Sequence, residues 1–187
     1  MYDSTIKLKL QEQWDWIGED WREILARNLD LIGCFSQKDL DFILTLEELD
    51  CYEGNFKDLT PLFLMPQLRR LELRDLEIQD YSPLSALHNL EVLSAVFCSL
   101  SDTCVLSGLQ NLEVLDLSYP VSDSIDLTGI KNLTELRELY LNACQGLSLY
   151  DLIHLPNLEV ISLYFSPVKE EELHMFQQVH PRCHILH

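Results

Sequence analysis

The chain has 187 residues, 47% of them apolar, which suits one compact domain that buries about two-thirds of its unfolded surface. Acidic side chains outnumber basic ones by 31 to 13, and the net charge of −18 argues against nucleic acid and anionic membranes as partners, because both attract positive surfaces. A basic protein is the natural partner, unless the acidity serves only to keep the chain soluble. No apolar run of about 18 residues and no basic, apolar leader occurs, so neither a transmembrane helix nor a signal peptide is predicted.

Residues 8–31 predict an amphipathic helix, because apolar side chains recur mostly at steps of three or four and acidic ones take the other face. Trp14 and Trp21 lie on its apolar face, where they cover the end of the fold that follows or, alternatively, enter a groove on a partner. Ser36 and Asp39 predict a capping-box variant that opens a short second helix. Residues 1–45 are therefore predicted to form a helical cap.

An LxxLxL frame then recurs six times, at intervals of 22 residues except for one of 24. The frames begin at Leu46, Leu68, Leu90, Leu112, Leu136 and Leu158. Their fourth and sixth residues alternate with mostly polar ones, which predicts short strands with one buried face, joined by single turns of 3₁₀ or α-helix. Cys183 and Ile185 continue the series as a seventh strand, after a helix predicted over 168–179. Repetition at one period predicts a stack of similar coils.

Frames such as Leu71-Glu72-Leu73, followed by Ile78 and Leu84, resemble the leucine-rich-repeat family, in particular its 22-residue, internalin-like and phosphatase-regulator-like class. The resemblance implies an α/β fold: a right-handed leucine-rich-repeat solenoid with a parallel concave β-sheet of about seven strands and a helical N-terminal cap. It covers residues 46–187, which form the repeats with a C-terminal capping helix and strand. Residues 1–45 and 46–187 are predicted to make one structural domain.

Two features depart from the family's pattern. The position that usually holds Asn or Cys, three residues after each frame, is occupied by Gly54, Leu76, Cys98, Pro120, Cys144 and Ser166, so no asparagine ladder is expected. The coil over 118–124 is two residues longer than the others, which predicts a bulge or a protruding loop.

The six cysteines fit a reduced, cytoplasmic protein better than a disulfide framework. Cys51 and Cys183 fall at inward strand positions, and Cys98 and Cys144 at the family's Asn/Cys position, so these four are interpreted as small core residues. Cys34 and Cys104 have no assigned role.

The residues beside the inward positions point to the opposite face of the sheet, which is the predicted binding face. Aromatic side chains and valines recur there, surrounded by acids, which is the composition of a protein interface with a charged rim. The predicted partner-binding residues are Glu48, Asp50, Tyr52, Glu72, Arg74, Val96, Phe97, Asp116, Tyr119, Glu138, Tyr140, Tyr164 and Phe165. The alternative is that neighbouring side chains or a loop cover these β-forming residues.

No phosphate-binding glycine loop, GxSxG, HExxH or CxxC motif occurs, so no catalytic residue, no cofactor and no enzyme activity is predicted. His180, Cys183, His184 and His187 cluster in sequence, but Cys183 and His184 point to opposite faces of a strand, so no metal site is predicted.

The sequence therefore favours a non-catalytic protein-protein interaction module that binds a basic protein through its concave face. An inhibitor or immunity protein fits its acidity and small size, with carboxylates steering association. The alternative is a regulatory or scaffold subunit of a cellular enzyme. On its own the chain is expected to be a monomer.

Overall fold

The computed structural model describes residues 17–29, 37–52 and 57–187. Predictions that involve Trp14, Cys34, Ser36 and Gly54 lie outside these residues. In the described part of the chain, seven parallel strands form one sheet in chain order, as predicted. They are β1 (Glu48–Tyr52), β2 (Arg70–Arg74), β3 (Val92–Val96), β4 (Val114–Asp116), β5 (Glu138–Tyr140), β6 (Val160–Ser162) and β7 (His184–Leu186).

The fourth residue of every frame stacks on its equivalent in the next strand. Leu49, Leu71, Leu93, Leu115, Leu139, Ile161 and Ile185 form one continuous row across the sheet. All but the last are fully buried. A single coil cannot shield these side chains from water, so the apolar area that each coil buries against its neighbours is the main stabilising contribution to the stack.

Short 3₁₀ turns carry the chain back between strands at Thr60–Leu64, Ser82–Ala86, Thr103–Leu106 and Leu149–Leu152. Most turns follow an aspartate whose carboxylate accepts the backbone N–H two residues on. These aspartates are Asp58, Asp80, Asp102 and Asp126. The bonds from the backbone N–H groups of Ser82 and Thr128 lower the pKa of Asp80 and Asp126 respectively. The aspartate therefore sets the start of each return segment by satisfying a free backbone donor.

Within the described ranges, the helices are α1 (Glu19–Asn28), α2 (Gln37–Ile43) and α3 (Glu170–Val179). Of the helix predicted over 8–31, residues 17–29 are described; within them α1 begins after Gly18, whose ψ of 160° is not helical, so the helix does not continue through Gly18 as predicted. Trp21 is buried on β1's side of the core, and its indole N–H donates to the Asp58 carbonyl at 2.7 Å. It covers the first coil, as predicted. None of the described helices has the length and apolar character that a membrane span requires.

The outer edge of β1 is paired with a side chain of α1. The Asn28 amide donates to the Asp50 carbonyl and accepts from the Asp50 N–H, both at 2.9 Å. Arg27 donates to the Tyr52 carbonyl at 3.1 Å. These bonds replace the ones that a neighbouring strand would make.

Thiols and a hydroxyl take the place of the missing asparagine ladder. Cys98 donates to the Leu73 carbonyl at 3.6 Å, and Cys144 to the Leu117 carbonyl at 3.5 Å. Ser166 accepts the Cys144 N–H at 2.9 Å. Cys51, Cys98, Cys144 and Cys183 are buried and free, as predicted for core residues, whereas Cys104 is exposed.

The longer coil over 118–124 leaves the sheet undisturbed. Asp116 still pairs with Tyr140 in the register of β4 and β5. Val121 is 71% exposed, so the additional length is accommodated outside the core, in agreement with the predicted bulge.

Candidate functional site: the open face of the sheet

The predicted partner-binding residues all lie on one surface. Nine are outward residues of β1–β5, and the other four, Phe97, Tyr119, Tyr164 and Phe165, follow the ends of β3, β4 and β6. We call this surface the open face. The alternative that other side chains cover its aromatic residues is not supported among the described residues, since Phe165 is 81% exposed and Phe97 46%. That the face binds a partner remains a prediction.

The β1–β2 end of the open face carries charges of both signs. Arg70 forms an ion pair with Glu72, and Asp50 lies opposite Glu72 in the strand register. Burial, with the nearby Glu72 carboxylate, raises the pKa of Asp50. A shallow pocket of about 450 Å³ lies here, lined by Asp50, Cys51, Tyr52, Glu72, Arg74 and Asp75. Arg27 covers the Tyr52 ring, with its guanidinium carbon 4.7 Å from the ring centroid.

The β3–β6 part of the open face has no basic residue on its strands. Val92 and Val114 are neighbours in the register, and Asp116 lies between Ser94 and Tyr140. The Asp116 carboxylate accepts the Ser118 N–H at 2.9 Å. The Tyr140 hydroxyl donates to Glu138 at 2.6 Å, and this bond raises the pKa of Tyr140 to about 12. This part of the face is therefore anionic and otherwise apolar or neutral.

A polar network that the sequence did not reveal joins β4, β5 and β6. Asn142 accepts from the Ser162 hydroxyl at 2.6 Å and from the Tyr164 N–H at 3.0 Å. Its amide nitrogen donates to the Ser118 hydroxyl at 3.1 Å. The network fixes the backbone on which Tyr164 and Phe165 are carried. The sequence signal that could have predicted this network is the series of small polar residues at outward positions of successive frames.

Five residues at one repeat position adopt a left-handed backbone conformation: Asp75, Phe97, Tyr119, Ala143 and Phe165, with φ between 54° and 61°. None is glycine, although this conformation is disfavoured for residues with a Cβ. The first four donate their N–H groups to the next coil; Phe97 bonds the Ser118 carbonyl and Tyr119 the Asn142 carbonyl. The sequence identified this row of residues but not its conformation.

Three aromatic rings stand on these left-handed positions. The rings of Phe97 and Tyr119 stack with centroids 5.1 Å apart and an interplanar angle of 29°. The Phe165 ring extends into solvent. The left-handed turn thus places a row of aromatic side chains along the edge where the strands end.

The histidine and cysteine cluster near the C-terminal end does not converge. His180 packs on Phe176 with ring centroids 4.6 Å apart, and burial lowers the pKa of His180. Cys183 is buried, whereas His184 and His187 are exposed. Within the described ranges, no group of three or more His, Cys, Asp or Glu side chains is arranged to hold a metal ion.

One strand per repeat in a single parallel sheet, with short turns behind it, defines a leucine-rich-repeat fold, and solved structures agree. A leucine-rich-repeat protein of Leptospira interrogans matches 81% of this chain with a TM-score of 0.65 and 23% identity. An internalin of Listeria monocytogenes matches 90% of it with a TM-score of 0.62 and 18% identity. No protein-family model and no curated protein matches the chain.

The chain spans 39% of the Leptospira protein and 55% of the internalin. At this identity the likeness establishes the fold.

Proposed function

We propose that the chain binds a basic protein through its open face, without catalysing a reaction. The observation that carries this proposal is the row of exposed aromatic residues at strained backbone positions beside that face. A strained residue persists where the surrounding structure enforces it, and such residues cluster at functional sites. Exposed aromatic side chains are the commonest anchors of protein interfaces.

Charge supports a basic partner. The chain carries a net charge of −18, and Asp116 and Glu138 lie on the apolar part of the open face without a basic neighbour on their strands. Carboxylates around an apolar centre accelerate encounter with a positive partner and disfavour negative ones. We infer an inhibitor of immunity type, acting as a cytoplasmic monomer; the alternative is a regulatory or scaffold subunit.

The proposal can be tested by capturing partners from a lysate of the source organism on the immobilised chain, followed by binding of the purified candidate. The site variant is Tyr164→Ala/Phe165→Ala. The matched control is Phe63→Ala/Tyr150→Ala, which removes two exposed aromatic rings from the 3₁₀ turns on the other side of the sheet.

We expect a basic protein to bind the wild type and the control, and to bind the site variant at least about tenfold more weakly, as for interface hot spots. Its affinity should fall as NaCl rises, because screening weakens exposed charge pairs. Equal binding to both variants would contradict the proposal. Loss of the partner's own activity in the complex distinguishes an inhibitor from a regulatory subunit.

A further inference from the structure

The centre of the open face holds two carboxylates that have no cationic neighbour. Asp116 and Glu138 form no ion pair with any Lys, Arg or His in the described part of the chain, whereas Glu72 on β2 is paired with Arg70. The negative charges of the β1–β2 end therefore lie near two arginines of β2, Arg70 and Arg74. Those of β4 and β5 are left for a ligand to balance.

The position of the Asp116 carboxylate is fixed. One of its oxygens accepts the Ser118 N–H, which draws the group toward the end of β4 where Tyr119 follows. Its charge contributes, after burial, to raising the pKa of Cys144 to about 12. The second carboxylate oxygen has no hydrogen-bond partner among the described residues, so it is available to a donor from outside.

An aromatic surface lies at the same edge. The Phe97 and Tyr119 rings stack on each other and remain exposed, and Tyr119 is only three residues from Asp116. A planar cation can lie against such a pair while a carboxylate accepts its N–H groups.

The described part of the chain itself contains such an arrangement. At the β1 end, the Arg27 guanidinium covers the Tyr52 ring and also lies 3.8 Å from the Glu23 carboxylate. Phe97 and Tyr119 have no such cover among the described residues. The guanidinium that covers Tyr52 at the β1 end therefore indicates which group is missing over Phe97 and Tyr119.

We infer that the centre of the open face is a binding site for one arginine side chain of the partner, with Asp116 as its counter-ion and the Phe97–Tyr119 pair as its stacking surface. This inference rests on the proposed function and specifies its partner. Arginine fits better than lysine, because its flat guanidinium stacks on aromatic rings and presents several donors in one plane. The carboxylate of Glu138 adds negative potential from the adjacent strand.

The test uses three short probes: acetyl-Gly-Arg-Gly-amide, the same peptide with citrulline, and the same peptide with lysine. Citrulline keeps the shape and most donors of arginine but carries no charge. Backbone amide shifts of the full chain are followed by NMR as each probe is added. The variants are Asp116→Asn, which keeps an acceptor for the Ser118 N–H, and Asp151→Asn as the control in the 3₁₀ turn Leu149–Leu152 on the other side of the sheet.

We expect the arginine probe to shift the amides of Phe97, Ser118 and Tyr119 in a saturable manner, and citrulline to leave them unchanged. Asp116→Asn should weaken binding by about tenfold or more, because a charge-assisted bond is lost, and Asp151→Asn should leave these three amides responding as in the wild type. Equal shifts from citrulline, from lysine, or in Asp116→Asn would overturn the arginine site.

The two proposals fail separately. If the probes have no effect at β4 while the Tyr164→Ala/Phe165→Ala variant still loses a basic partner, the arginine site is wrong and the proposed function stands. If the arginine probe binds at Asp116 but that variant keeps every partner, the proposed function fails.

Discussion

Phe165 shows at the scale of one residue how stability and function can oppose each other. Its φ of 61° lies in the left-handed region, which costs an ordinary residue about 1–2 kcal/mol. Its ring is 81% exposed, so it recovers little of that cost by burial. Asparagine tolerates this backbone conformation far better than phenylalanine does. Phenylalanine at position 165 is therefore not the residue that would make the fold most stable.

We expect Phe165→Asn to raise the free energy of unfolding by about 0.5–1 kcal/mol, because it relieves backbone strain and sacrifices little buried area. Phe165→Ala is the matched control, since it removes the same ring but keeps a residue that the left-handed region disfavours. Urea denaturation of the three proteins measures the difference. A variant with asparagine that is no more stable than the one with alanine would refute the strain argument.

The sequence could not have predicted these five backbone conformations. Glycine or asparagine is the usual signal of positive φ, and the repeat position holds Asp75, Phe97, Tyr119, Ala143 and Phe165 instead. At the first four positions the backbone N–H donates to the next coil, and these bonds depend on the stacked fold rather than on local preference.

At the scale of the element, the last 3₁₀ turn is capped from a distance. Earlier return segments begin with an aspartate that caps them locally, such as Asp102 and Asp126. At Leu149–Leu152 the preceding residue is Ser148, whose side chain makes no capping bond. Glu172 of α3 supplies the acceptor instead, taking the buried Leu149 N–H at 2.9 Å. This bond ties the capping helix to the coil below it.

Glu172→Ala should lower the free energy of unfolding by about 1–3 kcal/mol, because the buried Leu149 N–H loses its acceptor. Glu172→Gln keeps an acceptor oxygen and should cost less. The neighbouring Glu171 is exposed, so Glu171→Ala should change stability by less than about 0.5 kcal/mol. Thermal unfolding compares the three variants, and equal effects at both positions would contradict a specific role for Glu172.

The elements differ in how far local patterns could predict them. The six LxxLxL frames, with the continuation of their spacing at Cys183 and Ile185, predict the seven described strands correctly, because alternation of buried and exposed side chains is a local property of a strand. The N-terminal helix is interrupted at Gly18, because the apolar period continues through this residue although the helical backbone does not. The contact of Glu172 with Leu149 joins residues 23 apart in sequence and depends on how α3 docks.

The whole molecule combines a continuous apolar core with a strongly negative surface. Exposed ion pairs such as Arg69–Glu91 and Arg137–Glu159 join neighbouring coils at the same repeat position. Such pairs contribute little individually. With a net charge of −18, the acidic side chains of the folded protein repel one another. We expect this repulsion to destabilise the fold by more than the ion pairs stabilise it.

Raising NaCl from about 20 to about 200 mM should therefore raise the Tm at pH 7, since screening weakens the repulsion. The control is the same comparison near the isoelectric point, about 4.5, where the net charge vanishes and the salt effect should largely disappear. A Tm that falls with salt at pH 7 would mean that the ion pairs dominate.

At this scale the fold is predictable and the binding site only partly so. A fixed 22-residue period with buried leucines permits little other than a stack of coils, and the register of the strands follows from it. The sequence also places Asp116 and Tyr140 side by side on the open face. It could not show which carboxylates are already paired, since the pairing of Arg70 with Glu72 is set by side-chain geometry.

The bonds between Asn28 and Asp50 determine how copies of this molecule can associate. A fibre grows by adding the edge strand of one molecule to the free edge of the next, so both ends of the sheet must be accessible. Here a side-chain amide already occupies the N–H and carbonyl of Asp50 on β1. A β-strand of another copy would have to displace these bonds to pair with β1, so we expect Asn28 to disfavour fibre formation in a concentrated solution of the protein.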